Sequence, residues 1–201
     1  MEARAKPGDV SIARTIFSPV FDYFGGWKKF AIVSAKKQEA SFYRDLGSHF
    51  LTKFLLGSIM VSTFVNFITT NDGALDIVPV PFLNDALFLA VFAIGGIVMA
   101  MLSLPLIRAF GGRENFKNTA TTYIFVGGLL MPLLTLADGV IFLTTGDLPA
   151  PQAAGAASAY IYASALKSLH GISLGKAFVA ILVPSCILGF LLGFLFSMLL
   201  L

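Results

Sequence analysis

The chain has 201 residues, 57% hydrophobic and only 12% charged, with a formal net charge of +3 and a mean hydropathy of +0.85. A soluble domain carries about 25% charged residues, so the composition excludes an ordinary water-soluble fold and reads as an integral membrane protein. It also excludes a nucleic-acid binder, because no dense Lys/Arg patch is interleaved with base-stacking aromatics. A single cysteine, Cys186, rules out an intramolecular disulfide and any thiolate metal site; in its apolar setting it reads as a small buried hydrophobe.

Residues 1–47 form a region of their own. Ile12, Ile16, Phe17, Val20, Phe21, Phe24 and Trp27 recur mostly at steps of three and four, an approximate amphipathic stripe. Ser18-Pro19 fits an N-cap followed by proline at the first helical position, and Gly25-Gly26 is expected to interrupt the helix. Beyond it, Trp27, Phe30, Ile32 and Val33 sit among Lys28, Lys29, Lys36 and Lys37. Such a segment fits a helical region lying in the cytoplasmic interface, with Phe17, Phe21, Phe24 and Trp27 in lipid and the lysines at anionic headgroups. A helix packed under the bundle as a lid is the alternative. No uninterrupted apolar run with an A-x-A-like site occurs here, so the first hydrophobic segment is expected to double as the insertion signal.

Residues 48–201 contain five stretches that approach the roughly 20 apolar residues needed to cross a bilayer: about 48–70, 83–107, 120–144, 152–169 and 174–201. The fourth is the weakest, being Ala-rich and carrying Ser158, Tyr160, Tyr162 and Ser164. Charge decides in its favour. With five spans, all 14 Lys and Arg fall on one side. Nine precede or begin the first span, from Arg4 to Lys53; Arg108, Arg113 and Lys117 lie between the second and third; Lys167 and Lys176 flank the fourth-to-fifth link. Asp72, Asp76, Asp85, Asp138 and Asp147 are left for the other side. Because Lys/Arg bias sets orientation, the reading is an all-α, five-span bundle with its N-terminus in the cytoplasm and its C-terminus outside. Short links make consecutive helices antiparallel neighbours and leave no space for an extramembrane catalytic domain. Gly171 can end the fourth helix and Ser173 can cap the fifth.

Residues that carry chemistry are sparse. Asp138 is taken as the one acid inside a span, a structural wetted group or a proton or cation site. His49 and Lys53 are expected to reach the cytoplasmic surface, and His170 falls in an inner link. The histidines are well separated, so no metal centre is expected. No nucleophile elbow, P-loop or dinucleotide fingerprint occurs, so neither an enzymatic activity nor a cofactor is expected. Packing signals are better represented. Gly155, Ala159 and Ala163 form a small-residue ladder, and Gly189-x-x-x-Gly193 is a GxxxG; both suit close helix contact within the monomer or with another chain. Pro132 and Pro184 fall inside spans and are expected to kink them.

The run from Ala165 to Ala177, with His170, Gly171, Ser173, Gly175 and Lys176, resembles the C-terminal signature of the Yip-domain family, whose fifth helix carries a central proline, here Pro184. Gly111-Gly112 followed by Phe116-Lys117 is similar to that family's first inner link. The resemblance covers about residues 45–201. It implies a non-enzymatic polytopic membrane protein, and closer likeness to the bacterial branch implies an inner-membrane location. No D-L-Y-G-P-type tract is present and the N-terminal region is short, so Rab-type GTPase binding is not carried over. Three functions remain open: a scaffold or regulator using its cytoplasmic face, an accessory subunit of a larger membrane complex, and a small transporter using Asp138. The expected partners are membrane lipids and a protein partner or second copy.

Overall fold

The computed structural model describes residues 7–36, 40–69, 81–145 and 151–199. Among these residues helices are the only regular elements: α1 (Pro7–Lys36), α2 (Ala40–Arg44), α3 (Ser48–Thr69), α4 (Pro81–Ala109), α5 (Phe116–Thr145), α6 (Pro151–His170) and α7 (Leu174–Leu199). Four helices are long and apolar enough to cross a membrane, over Ser48–Asn66, Asp85–Ala109, Phe116–Ala137 and Leu174–Leu191. They match the first, second, third and fifth stretches read from sequence. α6 forms over the fourth, but its hydroxyl-bearing residues and alanines leave it outside that set. The outer links, with Asp72, Asp76 and Asp147, lie outside the described residues.

The helix ends at the α4–α5 and α6–α7 links have defined caps. α4 closes with a Schellman turn. Gly112 N–H donates to the Ile107 carbonyl at 2.9 Å and Gly111 N–H to that of Arg108 at 3.0 Å, while Gly111 takes φ +94°. Gly112 is required for space, because a Cβ there would meet the Ile107 carbonyl at 2.9 Å and His170 Nδ1 at 3.1 Å. Asn115 caps α5, its Oδ1 accepting from Asn118 N–H at 2.8 Å. α6 ends at Gly171, with φ +68° and its N–H on the Lys167 carbonyl at 2.9 Å. Ser173 Oγ then accepts from Lys176 N–H at the head of α7.

α5 is the central helix. Of its apolar span 61% is buried, against 22%, 28% and 22% for those of α3, α4 and α7. One side packs on α1, α2, α3 and α6 around Tyr23, Tyr43, Phe54, Phe125 and Leu129; the other faces α4, α6 and α7 around Ile107, Tyr123 and Leu166. Pro132 lies in the middle of α5 and has no N–H, so the Gly128 carbonyl one turn before it loses its intrahelical donor. Ser58 of α3 supplies the replacement, its hydroxyl donating to that carbonyl at 2.7 Å. In a bilayer such a freed group has no water to turn to, and a neighbouring helix must serve it.

α1 departs from the sequence reading. It is one continuous helix through Ser18-Pro19 and Gly25-Gly26, so Pro19 is not at a first turn and the glycines do not break it. Tertiary packing overrides both signals. A Cβ at Gly26 would meet the Phe54 ring at 2.6 Å, and at Gly57 the α3 backbone is so close to α1 that a Cβ would collide with the Pro19 carbonyl. Glycine at both positions holds α1 against α3.

Candidate functional site

The α4–α5 and α6–α7 links, far apart in sequence and both expected on the inner side, form one surface. His170 is the last residue of α6 and Thr119 lies in the first turn of α5; the Thr119 hydroxyl is 3.1 Å from His170 Nε2. That hydroxyl already donates its single proton to the Asn115 carbonyl at 2.8 Å. His170 is therefore the donor, which assigns the neutral Nε2–H tautomer. Its Nδ1 is buried beside Gly112 and has no hydrogen-bond partner among the described residues. Burial lowers the His170 pKa to about 4, against a smaller opposing pull from Glu114. Lys176, at the head of α7, completes the seam: its Nζ donates to the Phe110 carbonyl at 3.4 Å and sits 6.0 Å above the Phe110 ring.

The N-terminal region is tied to the same surface. Arg44 of α2 pairs with Glu114 of the first inner link, its Nε donating at 2.6 Å, and Asn118 Nδ2 donates to the second oxygen at 3.0 Å. The Arg44 hydrogen bond is the main cause holding the Glu114 carboxyl below its ordinary range. Tyr43, beside Arg44, is buried in the core, and burial pushes its phenol up.

Other predicted residues scatter. Phe17, Phe21 and Phe24 face outward from α1, exposed by 52%, 67% and 56%. Trp27 turns inward, donating to the Tyr23 hydroxyl at 2.7 Å, which donates to the Leu129 carbonyl at 3.2 Å. Lys28 and Lys29 are exposed. Lys37 and the Lys36 side chain lie outside the described residues, as does the side chain of Asp138 in α5. Gly175 is exposed, and a Cβ there would meet nothing within 4 Å. His49 is exposed and Lys53 half-buried.

Three expectations are corrected. The GxxxG of α7 does not pack within the monomer. Gly189 and Gly193 are exposed, with nothing within 4 Å of a Cβ on either, because the apolar α7 turns Ala177, Ala180 and Ile181 of its N-terminal half to the core instead. In the α6 ladder Ala163 is fully buried, Ala159 half-buried and Gly155 open. Cys186 is exposed, not buried, on the outward face of α7 with Leu182 and Ile187.

The third correction concerns acids. Asp85, assigned above to the outer side, is 3% exposed in the first turns of α4. Thr63 donates to it at 2.6 Å and Ser62 at 3.5 Å, and Ser62 also meets Thr135 at 2.9 Å. Asp85 opens the apolar stretch of α4, so Asp138 is not the one acid within a candidate span. The missed signal was the adjacent Ser62-Thr63 pair inside an apolar helix. His170 was legible too, one face-repeat along α6 from Ala163 and Leu166.

A lateral cleft of about 540 Å³ opens between α4, α5, α6 and α7, lined by Phe92, Gly96, Met99, Tyr123, Ala159 and Tyr162 among others. No group of three or more His, Cys, Asp and Glu placed to hold a metal occurs among the described residues. No family model, curated protein or solved structure matches the chain.

Proposed function

We propose that the chain is a non-enzymatic, Yip-like membrane protein of five spans that acts as a scaffold or regulator through its cytoplasmic face. The observation that carries this reading is the joining of the two inner links. The residues that bear the family resemblance, Gly111, Gly112, Phe116, Lys117 and His170 to Lys176, gather around the Thr119–His170 bond and the Lys176–Phe110 contact. Arg44–Glu114 adds the N-terminal region to the same face. A polypeptide surface assembled from three separate segments suits partner recognition, and the basic residues around it suit anionic lipid.

The same pairing supports a spanning α6. α5 leaves Thr119 and ends at Thr145; α6 begins at Pro151 and returns to His170 beside Thr119. The 152–169 stretch of α6 rises about 27 Å, close to the thickness of the hydrocarbon layer, and leaves His170 at its end in the link. The basic end residues Lys167 and Lys176 then share the inner side with Arg108, Arg113 and Lys117, in keeping with positive-inside orientation.

The test is neutralisation of Lys28, Lys29, Lys36 and Lys37 together, with membrane insertion checked separately. Loss of partner or anionic-vesicle binding with insertion intact is the expected result; unchanged binding to both is the contrary one. A second reading, an accessory subunit of a larger complex, is favoured by the outward GxxxG of α7. It predicts that the protein leaves the membrane in a large detergent-stable assembly that Gly189→Leu disrupts.

A further inference from the structure

The depth of α1 follows from its register against α3. Lys29 Nζ sits 5.2 Å over the Phe50 ring, at the very start of α3. Gly26 lies against Phe54, and the Tyr23 ring stacks on Phe54 at 5.4 Å. Pro19 and Tyr23 then meet Gly57. As α1 numbers fall, α3 numbers rise, so the two helices run antiparallel and α1 climbs alongside a membrane span. Gly57 is about 14 Å along α3 from Ser48. Leu129, whose carbonyl takes the Tyr23 hydroxyl, is about 20 Å along α5 from Phe116. Both depths fall well inside a hydrocarbon layer of about 30 Å.

The faces of α1 agree. Pro19, Tyr23, Gly26 and Phe30 are buried against the bundle. The opposite face carries Phe17, Phe21 and Phe24, all more than half exposed. A helix lying in the interface needs a polar face toward water; over residues 15–27 this one carries a single charge, the half-buried Asp22. A helix apolar on opposite faces is buried or embedded. Lys28 and Lys29 stand at the end level with the start of α3, where a membrane-inserted helix needs them; Arg14 lies beyond the other end of this stretch, so insertion carries it away from the side on which the charge pattern alone places it.

We infer that α1 is embedded in the membrane from the cytoplasmic side, antiparallel to α3, with Phe17, Phe21 and Phe24 against lipid acyl chains. This does not rest on the Yip-like reading. Lys28 and Lys29 mark the interface, and the chain N-terminal to them enters the bilayer instead of lying on it. Close backbone approach at Gly57 is the kind of contact by which helices associate in lipid.

Depth-dependent quenching of tryptophan tests this in the full chain, reconstituted in phosphatidylcholine vesicles brominated either near the glycerol or mid-chain. Trp27 is the one tryptophan, so Trp27→Phe gives a silent background in which Tyr23 still reaches Leu129. Phe17→Trp and, separately, Phe21→Trp are then the probes, both at outward positions that need no repacking. Mid-chain bromines should quench each about twofold or more strongly than shallow ones, given a leaflet depth of about 15 Å. Stronger quenching by the shallow label would put α1 in the interface and overturn the proposal. Absence of quenching by either label would mean a second protein surface covers the phenylalanines, and would overturn it equally.

Discussion

Thr119 and His170 are joined by a hydrogen bond of 3.1 Å between the start of α5 and the end of α6. The bond fixes the histidine as a neutral donor in a buried site, with its other nitrogen unmet among the described residues. Its folded pKa of about 4 lies below the ordinary value of 6.5. The unfolded chain therefore takes up the proton first as pH falls. Stability from this group is intact above about pH 6.5 and is lost progressively as pH falls from there toward 4. Thermal unfolding in mild detergent should show this loss, and His170→Gln, which keeps an N–H donor but does not titrate, should remove that component of the pH dependence.

Gly57→Ala should loosen α1. A Cβ at this position collides with the Pro19 carbonyl and comes within 2.9 Å of Tyr23 Cβ, and backbone cannot swing aside as a side chain can. Overpacking of this kind costs about 1–3 kcal/mol. Limited proteolysis of reconstituted protein should cut the N-terminal region faster in the variant. Gly128→Ala, whose nearest contacts are the side chains of Leu55 and Phe54, should be milder.

Ser58→Ala should destabilise the bundle by about 1–3 kcal/mol, the cost of stranding a buried acceptor. The Gly128 carbonyl already lacks its helical donor because of Pro132, and Ser58 is its replacement at 2.7 Å. Restoring the backbone donor with Pro132→Ala should make Ser58→Ala nearly harmless. A double-mutant cycle in thermal unfolding measures that coupling.

How much of this was readable in advance depended on range. Apolar length and the spacing of basic residues predicted helices at all five stretches, because these are local properties. Gly171 and Ser173 were legible as caps, since capping needs only neighbouring backbone. Residues whose role depends on a partner helix were misread. Pro19 and Gly25-Gly26 carry the local pattern of breaks, and the packing of α3 against Pro19 and Gly26 is not legible from that pattern. Asp85, assigned to the outer side, is held inside the fold by Ser62 and Thr63 of α3, which nothing local in α4 announces. Nothing local distinguishes an inward GxxxG from the outward one at Gly189 and Gly193.

Asp85→Leu should lower stability, because Thr63 and Ser62 lose an acceptor in a buried setting, at about 1–3 kcal/mol. Asp85→Asn keeps an acceptor and should cost less. Under the scaffold reading, Asp85→Asn retains partner binding in a pull-down. Complete loss of function with normal assembly would instead favour transport through an intramembrane acid.

The most direct measurement is of sidedness, because the inner face exists as one surface only if α6 crosses the bilayer. In a Cys186→Ser background, single cysteines at the exposed positions Gly175 and Met198 are challenged with a membrane-impermeant maleimide in intact and in opened cells. The account predicts that Gly175→Cys labels only after opening and that Met198→Cys, near the outer end of α7, labels in intact cells. Labelling of Gly175→Cys from outside would contradict it.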